Sequence, residues 1–154
     1  MAKKTFNEKL NAKGDLPKIE DLSDDPKLFE RFRAEKLLIA APMDYNEIMA
    51  RVPDGAIVTA ESIRNYLAAK AGADITCPLT AGIFINICAN TAVERGAHDF
   101  PWWRTLRSKG ELNEKFPGGA AEHKLRLETE GFEIIQKGKK LFVNNYESKL
   151  WGID

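Results

Sequence analysis

Apolar positions recur at helical spacing in several segments of the chain, and proline and glycine punctuate them. Asp25 followed by Pro26 reads as an N-cap with proline at the first helical position. Leu28, Phe29, Phe32, Lys36 and Leu37 then continue with a helical period, predicting a helix that ends near Ala41-Pro42. A second helix carries Tyr45, Ile48 and Met49 from Pro42 to Arg51, where Val52-Pro53 breaks it, because a residue before proline resists the α region. Pro53-Asp54-Gly55 is a turn and 56–58 a short β-type run. Thr59 caps a third helix with Ile63, Tyr66 and Leu67 at i, i+3 and i+4, and Gly72 stops it. A fourth helix is predicted from Pro78 to about Ala92, with small residues at Pro78, Ala81, Gly82 and Ala89 that let its backbone approach a neighbour closely. Gly118-Gly119 opens a fifth over 120–130, and Gly131 terminates it. Glu133-Ile134-Ile135-Gln136 and Leu141-Phe142-Val143, either side of Lys137-Gly138-Lys139-Lys140, form a β-hairpin pattern. Residues 1–25 are polar and without period, and are expected to form an arm.

These elements predict an α+β chain of 154 residues. It divides into a polar arm with an extension helix over 1–41 and a mostly helical domain over 42–154. Hydrophobic residues make up 44% and charged residues 30%, a globular balance that excludes disorder of the whole chain. Lys plus Arg and Asp plus Glu each number 23, so any nucleic-acid site must be local rather than a product of net charge. The uncharged stretch 75–93 has nearly the length of a membrane span, but Pro78, Asn86, Asn90 and its threonines and glycine mark it as a buried helix, and no membrane partner is expected. Cys77 and Cys88 form neither a CxxC pair nor a cluster with histidine, which points to small buried hydrophobes in a reducing cytoplasm and to no metal or other cofactor.

Other chemistry is sparse. His98 lies beside Asp99 without a serine or cysteine partner at triad spacing, and His123 with Glu122 is expected on a solvated helix face. Glu128 and Glu130, two apart on a helix, do not share a face. The distinctive run is Pro101-Trp102-Trp103-Arg104, followed by Arg107 and Lys109.

Arg51-Val52-Pro53-Asp54-Gly55-Ala56-Ile57-Val58-Thr59, the third and fourth helices, Pro101-Trp102-Trp103-Arg104, Gly110-Glu111-Leu112, Gly118-Gly119, the segment 124–131 and the closing hairpin follow one another in an order and spacing that resemble the alkylguanine-DNA alkyltransferase domain. The likeness covers roughly 42–151. It implies a winged helix-turn-helix with the hairpin as wing. The family's motif is Pro-Cys-His-Arg, whereas here Trp102 and Trp103 stand at its cysteine and histidine positions. Without a thiolate no thioether can form there, so suicide alkyl transfer is excluded at this position. The tryptophan resembles the non-enzymatic alkyltransferase-like proteins, which bind alkylated guanine in DNA and present it to excision repair.

That resemblance implies Thr59 and Ser62 on phosphate, Thr80, Ala81 and Gly82 on a helix lying in the minor groove, Pro101, Trp102 and Trp103 around a base pocket, Arg104 ordering the loop, and Arg107 and Lys109 adding positive charge. An indole suits the stacking wall of a base pocket. The partners it implies are DNA, alkylated and duplex, together with repair proteins. Two departures stand beside it: Ala60 replaces the family's tyrosine, and no arginine or lysine occurs over 71–94 to fill the gap left by a flipped nucleotide. Two alternatives remain. The paired tryptophans equally suit a packed hydrophobic cluster, and the whole domain a protein-interaction module that has lost DNA. An enzyme using Cys77 or Cys88 ranks last.

Overall fold

The computed structural model describes residues 4–12 and 14–153. Among the described residues, six helices and three small sheets surround one main core, an α+β arrangement. The local signals near the middle of the chain act as their chemistry requires. α3 spans Pro42–Arg51 with proline at its start and the Asp44 carboxylate accepting the Ala41 N–H at 2.8 Å. α4 spans Ala60–Ala71; Gly72 closes it in the left-handed conformation at φ 73°. α5 spans Pro78–Glu94 and α6 spans Gly119–Thr129. Tyr45, Met49, Ile63, Ile85, Cys88 and Ala89 meet in the core between α3, α4 and α5.

The first 41 residues depart from the predicted arm and long helix. α1, Phe6–Asn11, is capped by Thr5 and packs on α5 and α3, burying Leu10 in the main core. Its first amides, on Phe6 and Asn7, donate to the Glu94 carboxylate at 3.0 and 3.1 Å, so the end of α5 closes the start of α1. β1, Lys18–Asp21, pairs antiparallel with β2, Lys36–Ile39. α2, Pro26–Phe32, begins at the Asp25 cap and ends where Arg33 turns left-handed at φ 54°. The helix predicted to reach residue 41 therefore stops nine residues early. Leu37 and Leu38 explain why. Both are buried, Leu38 in the main core and Leu37 in a separate cluster with Leu22 and Cys77, and a strand puts neighbours on opposite faces.

β2 also pairs in parallel with β4, Ile75–Thr76, which leads into α5. A second parallel pair joins β3, Val58–Thr59, to β5, Thr105–Leu106. This clip fixes the segment after the tryptophans beside the start of α4. The hairpin is β6, Ile134–Lys137, with β7, Lys140–Val143, and it covers a smaller core of Ile57, Leu106, Leu112, Leu127, Phe132 and Val143. Among the described residues no helix is long and apolar enough to cross a membrane.

Candidate nucleic-acid interface and tryptophan motif

Residues Trp102–Arg104 form one 3-10 turn between α5 and β5. Arg104 anchors it. Its Nε and Nη2 donate to the two oxygens of Glu130 at 2.9 and 2.6 Å, and Nη1 donates to the Val52 carbonyl at 2.8 Å. Burial by itself would raise the Glu130 carboxyl, but the Arg104 guanidinium and the nearby Trp103 indole N–H outweigh it and hold the group below its ordinary value. That indole N–H, although close enough to contribute, makes no hydrogen bond of standard geometry. Arg104 thus ties the motif turn to the ends of α3 and α6. Its guanidinium is engaged in these contacts, with the side chain 15% exposed.

Trp102 is 2% exposed. Its ring meets Trp103 edge-on at 5.6 Å and Phe116 edge-on at 5.7 Å, with the His123 ring tilted beside it. The Arg126 guanidinium lies 5.1 Å from the Trp102 ring centre and 4.9 Å from that of Trp103, held in place by Glu122 at 2.9 Å. This is a sealed aromatic cluster with a cation against it. Pro101 and Trp102, expected as walls of an open base pocket, are both buried, and the space beside Trp102 is filled by rings. Trp103 is only partly buried.

His123 is corrected too. Instead of lying on a solvated face it is completely buried, its Nδ1 accepting the Asn113 amide N–H at 3.1 Å and its Nε2 donating to the Trp103 carbonyl at 2.8 Å. Accepting at Nδ1 fixes the proton on Nε2. Burial pushes the imidazole down to about 4, against the contrary pull of the Trp103 carbonyl. Asn113 also donates from Nδ2 to Asn86 Oδ1 on α5 at 2.9 Å, so one loop links α5, α6 and the motif.

Thr59 and Ser62 form a reciprocal capping box. The Ser62 amide donates to Thr59 Oγ1 at 3.1 Å, the Thr59 amide to Ser62 Oγ at 2.9 Å, and Ser62 Oγ to the Thr59 carbonyl at 2.9 Å. Such a cap contributes about 1 kcal/mol. Thr59, expected on phosphate, is buried and serves as the helix cap; Ser62, expected beside it, stays partly accessible with its hydroxyl engaged.

On α5 the small residues do not share one outer face. Ala81, expected at the DNA surface, turns into the core with Ala89; Gly82 is exposed and Thr80 intermediate, bonded to the Cys77 carbonyl at 3.4 Å. Period 3.6 separates 81 from 82 by about 100°.

Arg107 and Lys109 are exposed. Arg107 and Lys140 both approach Glu111, at 3.8 and 3.9 Å, and Lys109 lines a cleft of about 250 Å³ with Lys137 and Tyr146. The fold therefore gathers the cations of the 107–111 segment and of the hairpin on one edge. Among the described residues no group of three or more His, Cys, Asp or Glu is placed to hold a metal ion. Four important partners, Glu130, Asn113, Asn86 and Arg126, were not readable as such from the sequence, because each meets the motif through contacts distant along the chain.

No family model matches the chain, and no curated protein matches it in sequence. Solved structures do match its fold. S. pombe Atl1, in complex with damaged DNA containing O6-carboxymethylguanine, superposes with a TM-score of 0.54 at 20% identity, over 72% of this chain and 94% of that one. S. pombe ATL in complex with DNA gives 0.54 at 21% identity with the same coverage. The chain has the fold of Atl1. Nearly the whole Atl1 chain is accounted for, while more than a quarter of the present chain lies beyond the match.

Proposed function

We propose that this protein binds damaged duplex DNA of the alkylated-guanine class without transforming it, and that it serves to mark the lesion for repair proteins. The observation that carries the reading is its fold, shared at a TM-score of 0.54 with DNA-bound Atl1. α4 and α5 are consecutive helices joined by residues 72–77, and the second helix of such a pair is the one that enters a DNA groove. Arg107, Lys109, Lys137 and Lys140 supply a basic edge for phosphates, a contribution that is independent of sequence and sensitive to salt.

Chemistry of the protein's own has no support. An indole occupies the motif position where the resembling enzymes carry the accepting thiol. Cys88 is buried in the core with its thiol donating to the Pro42 carbonyl at 3.5 Å, and burial pushes that thiol up, away from thiolate.

The test is fluorescence anisotropy with a plain duplex and an O6-alkylguanine duplex across a salt series. Affinity should fall linearly on logarithmic axes with salt, and the lesion duplex should bind more tightly. A second reading, a protein-interaction module of the same fold, is favoured by the sealed Trp102 and by the internal engagement of Thr59, Ser62 and Arg104. No binding to either duplex at low salt selects it.

A further inference from the structure

The cleft of about 250 Å³ lies between the turn at 108–110, the hairpin of β6 and β7, and the turn at 146–149. Strained backbone shapes it. Among the described residues three non-glycines are left-handed, and two of them, Lys109 at φ 68° and Asn145 at φ 56°, line this one cleft. Asparagine tolerates that region, whereas the Cβ of a lysine crowds the following carbonyl. Gly110 is left-handed as well, at φ 80°, and a Cβ built on it would stand 2.6 Å from the Tyr146 ring. Glycine there lets the ring close over the backbone, and Lys109 bears the strain of the same turn. Lys109 is exposed, so core packing does not account for it. Residues strained in this way gather at ligand sites.

The lining carries both signs of charge and a ring. Among the described residues Lys109, Lys137 and Glu147 form no ion pair, and the Asn145 carboxamide has no hydrogen-bond partner. The Lys137 ammonium stands 5.4 Å from the centre of the Phe142 ring, part of an apolar floor with Val143, and the partly buried Tyr146 ring is a wall. A bare phosphate would suit the lysines but meet repulsion from Glu147. An apolar ligand would leave all three charges unmatched. A nucleotide whose base bears an exocyclic amino group answers every group at once: phosphate to Lys109 and Lys137, ring against Tyr146, amino hydrogens donated to the Glu147 carboxylate and the Asn145 carbonyl. The volume falls just under the range of about 300–1,000 Å³ for drug-sized sites, which admits one nucleotide and no paired helix.

We propose that this cleft binds a single unpaired nucleotide with an amino-bearing base, offered by a single-stranded stretch of DNA or free in solution. The inference goes beyond the duplex reading above, since neither the tryptophan motif nor α5 lines the cleft. It gives the basic edge a means of reading a base in addition to holding phosphate.

The experiment follows the anisotropy of labelled octamers of deoxycytidine and of deoxyuridine, whose bases differ at the 4-amino group, on the full chain at low salt. Unlabelled deoxycytidine and deoxyuridine monophosphates serve as competitors. Wild type should bind the cytidine octamer about tenfold more tightly than the uridine one, within the range for a hydrogen-bonded base contact. Glu147→Ala should erase that preference. Lys109→Gly should weaken both octamers about tenfold and yet raise the thermal midpoint, because glycine adopts the left-handed turn without strain. Lys137→Ala, on the exposed hairpin, should weaken both alike, and Lys27→Ala, an equal change of charge on α2, should leave both unmoved. Competition by deoxycytidine monophosphate that both cleft lysine variants abolish upholds the site with free nucleotide as ligand; binding of the octamers alone upholds it with a DNA strand. Equal wild-type affinity for the two octamers, affinities unmoved by Lys109→Gly and Lys137→Ala, or no binding of octamer or monophosphate overturns the proposal. An O6-methylguanine duplex bound in the same buffer then leaves the DNA reading standing. The cytidine preference without any duplex binding upholds the cleft and overturns that reading instead.

Discussion

Arg104 and Glu130, 26 residues apart, close a two-pronged ion pair at 2.9 and 2.6 Å, with each side chain 15% exposed. A guanidinium fork matches a carboxylate in this way, and the pair locks the tryptophan turn onto the end of α6. Removing one partner leaves the other charge largely buried and unmatched. Arg104→Ala should therefore destabilise the protein by about 2–3 kcal/mol in denaturant unfolding, less than for a fully buried pair, and Arg104→Lys should recover only part of it. A loss within about 0.5 kcal/mol would mean that the pair does not hold the turn.

His123 makes stability depend on pH. Its folded pKa, about 4, lies below the unfolded value of about 6.5, so the unfolded chain binds more protons between the two. Stability from this group is complete above pH 6.5 and declines as pH falls toward 4, by about 3 kcal/mol in all. Glu130, with its carboxyl held low, loses its contribution in the same direction but only at lower pH. Urea midpoints at pH 7, 5.5 and 4.5 should fall in that order, and His123→Gln should flatten the first step. A His123 ring that titrates near 6.5 by NMR in the folded protein contradicts the burial.

Trp102 is part of the core, so Trp102→Ala should cost about 3–5 kcal/mol, the range for truncating a large buried ring. Trp102→Phe should cost much less. An alanine variant within 1 kcal/mol of wild type would show that the ring is not packed as described.

Arg126 lies against both indoles. Arg126→Ala should lower stability by about 0.5–1 kcal/mol and raise quenching of tryptophan fluorescence by acrylamide, because the cation no longer screens the partly buried Trp103. Unchanged quenching would show that the guanidinium does not guard the rings.

Neither cysteine should accept an alkyl group. Incubation with an O6-methylguanine duplex, read by intact mass, should show no gain, and Cys88 should react with a thiol reagent only on unfolding. A mass increase of one methyl group on either cysteine would restore an enzymatic reading.

The elements that the sequence disclosed are those written in local chemistry. α3 begins with its proline, α4 is bounded by Thr59 and Gly72, α6 stops before Gly131, and the hairpin turns about Gly138, because caps, left-handed glycines and helical periods act within a few residues. That residue 102 carries no thiol was legible for the same reason: residue type alone decides whether a thioether can form there.

Tertiary structure decided the remainder. The periodic apolar positions from Leu28 to Leu37 fit a helix, yet Leu37 and Leu38 serve separate cores, and the pairing of β2 with β1 and β4 overrides the local period. Two-residue strands such as β4 and β5 have no signature of their own; they exist because the chain brings residue 75 to residue 37 and residue 105 to residue 58. Whether Trp102 lines a cavity or fills one depended on Phe116, His123 and Arg126, which arrive from beyond the turn. Exposure is a property of what surrounds a side chain, and those neighbours are set by long-range packing rather than by the residues beside it in sequence.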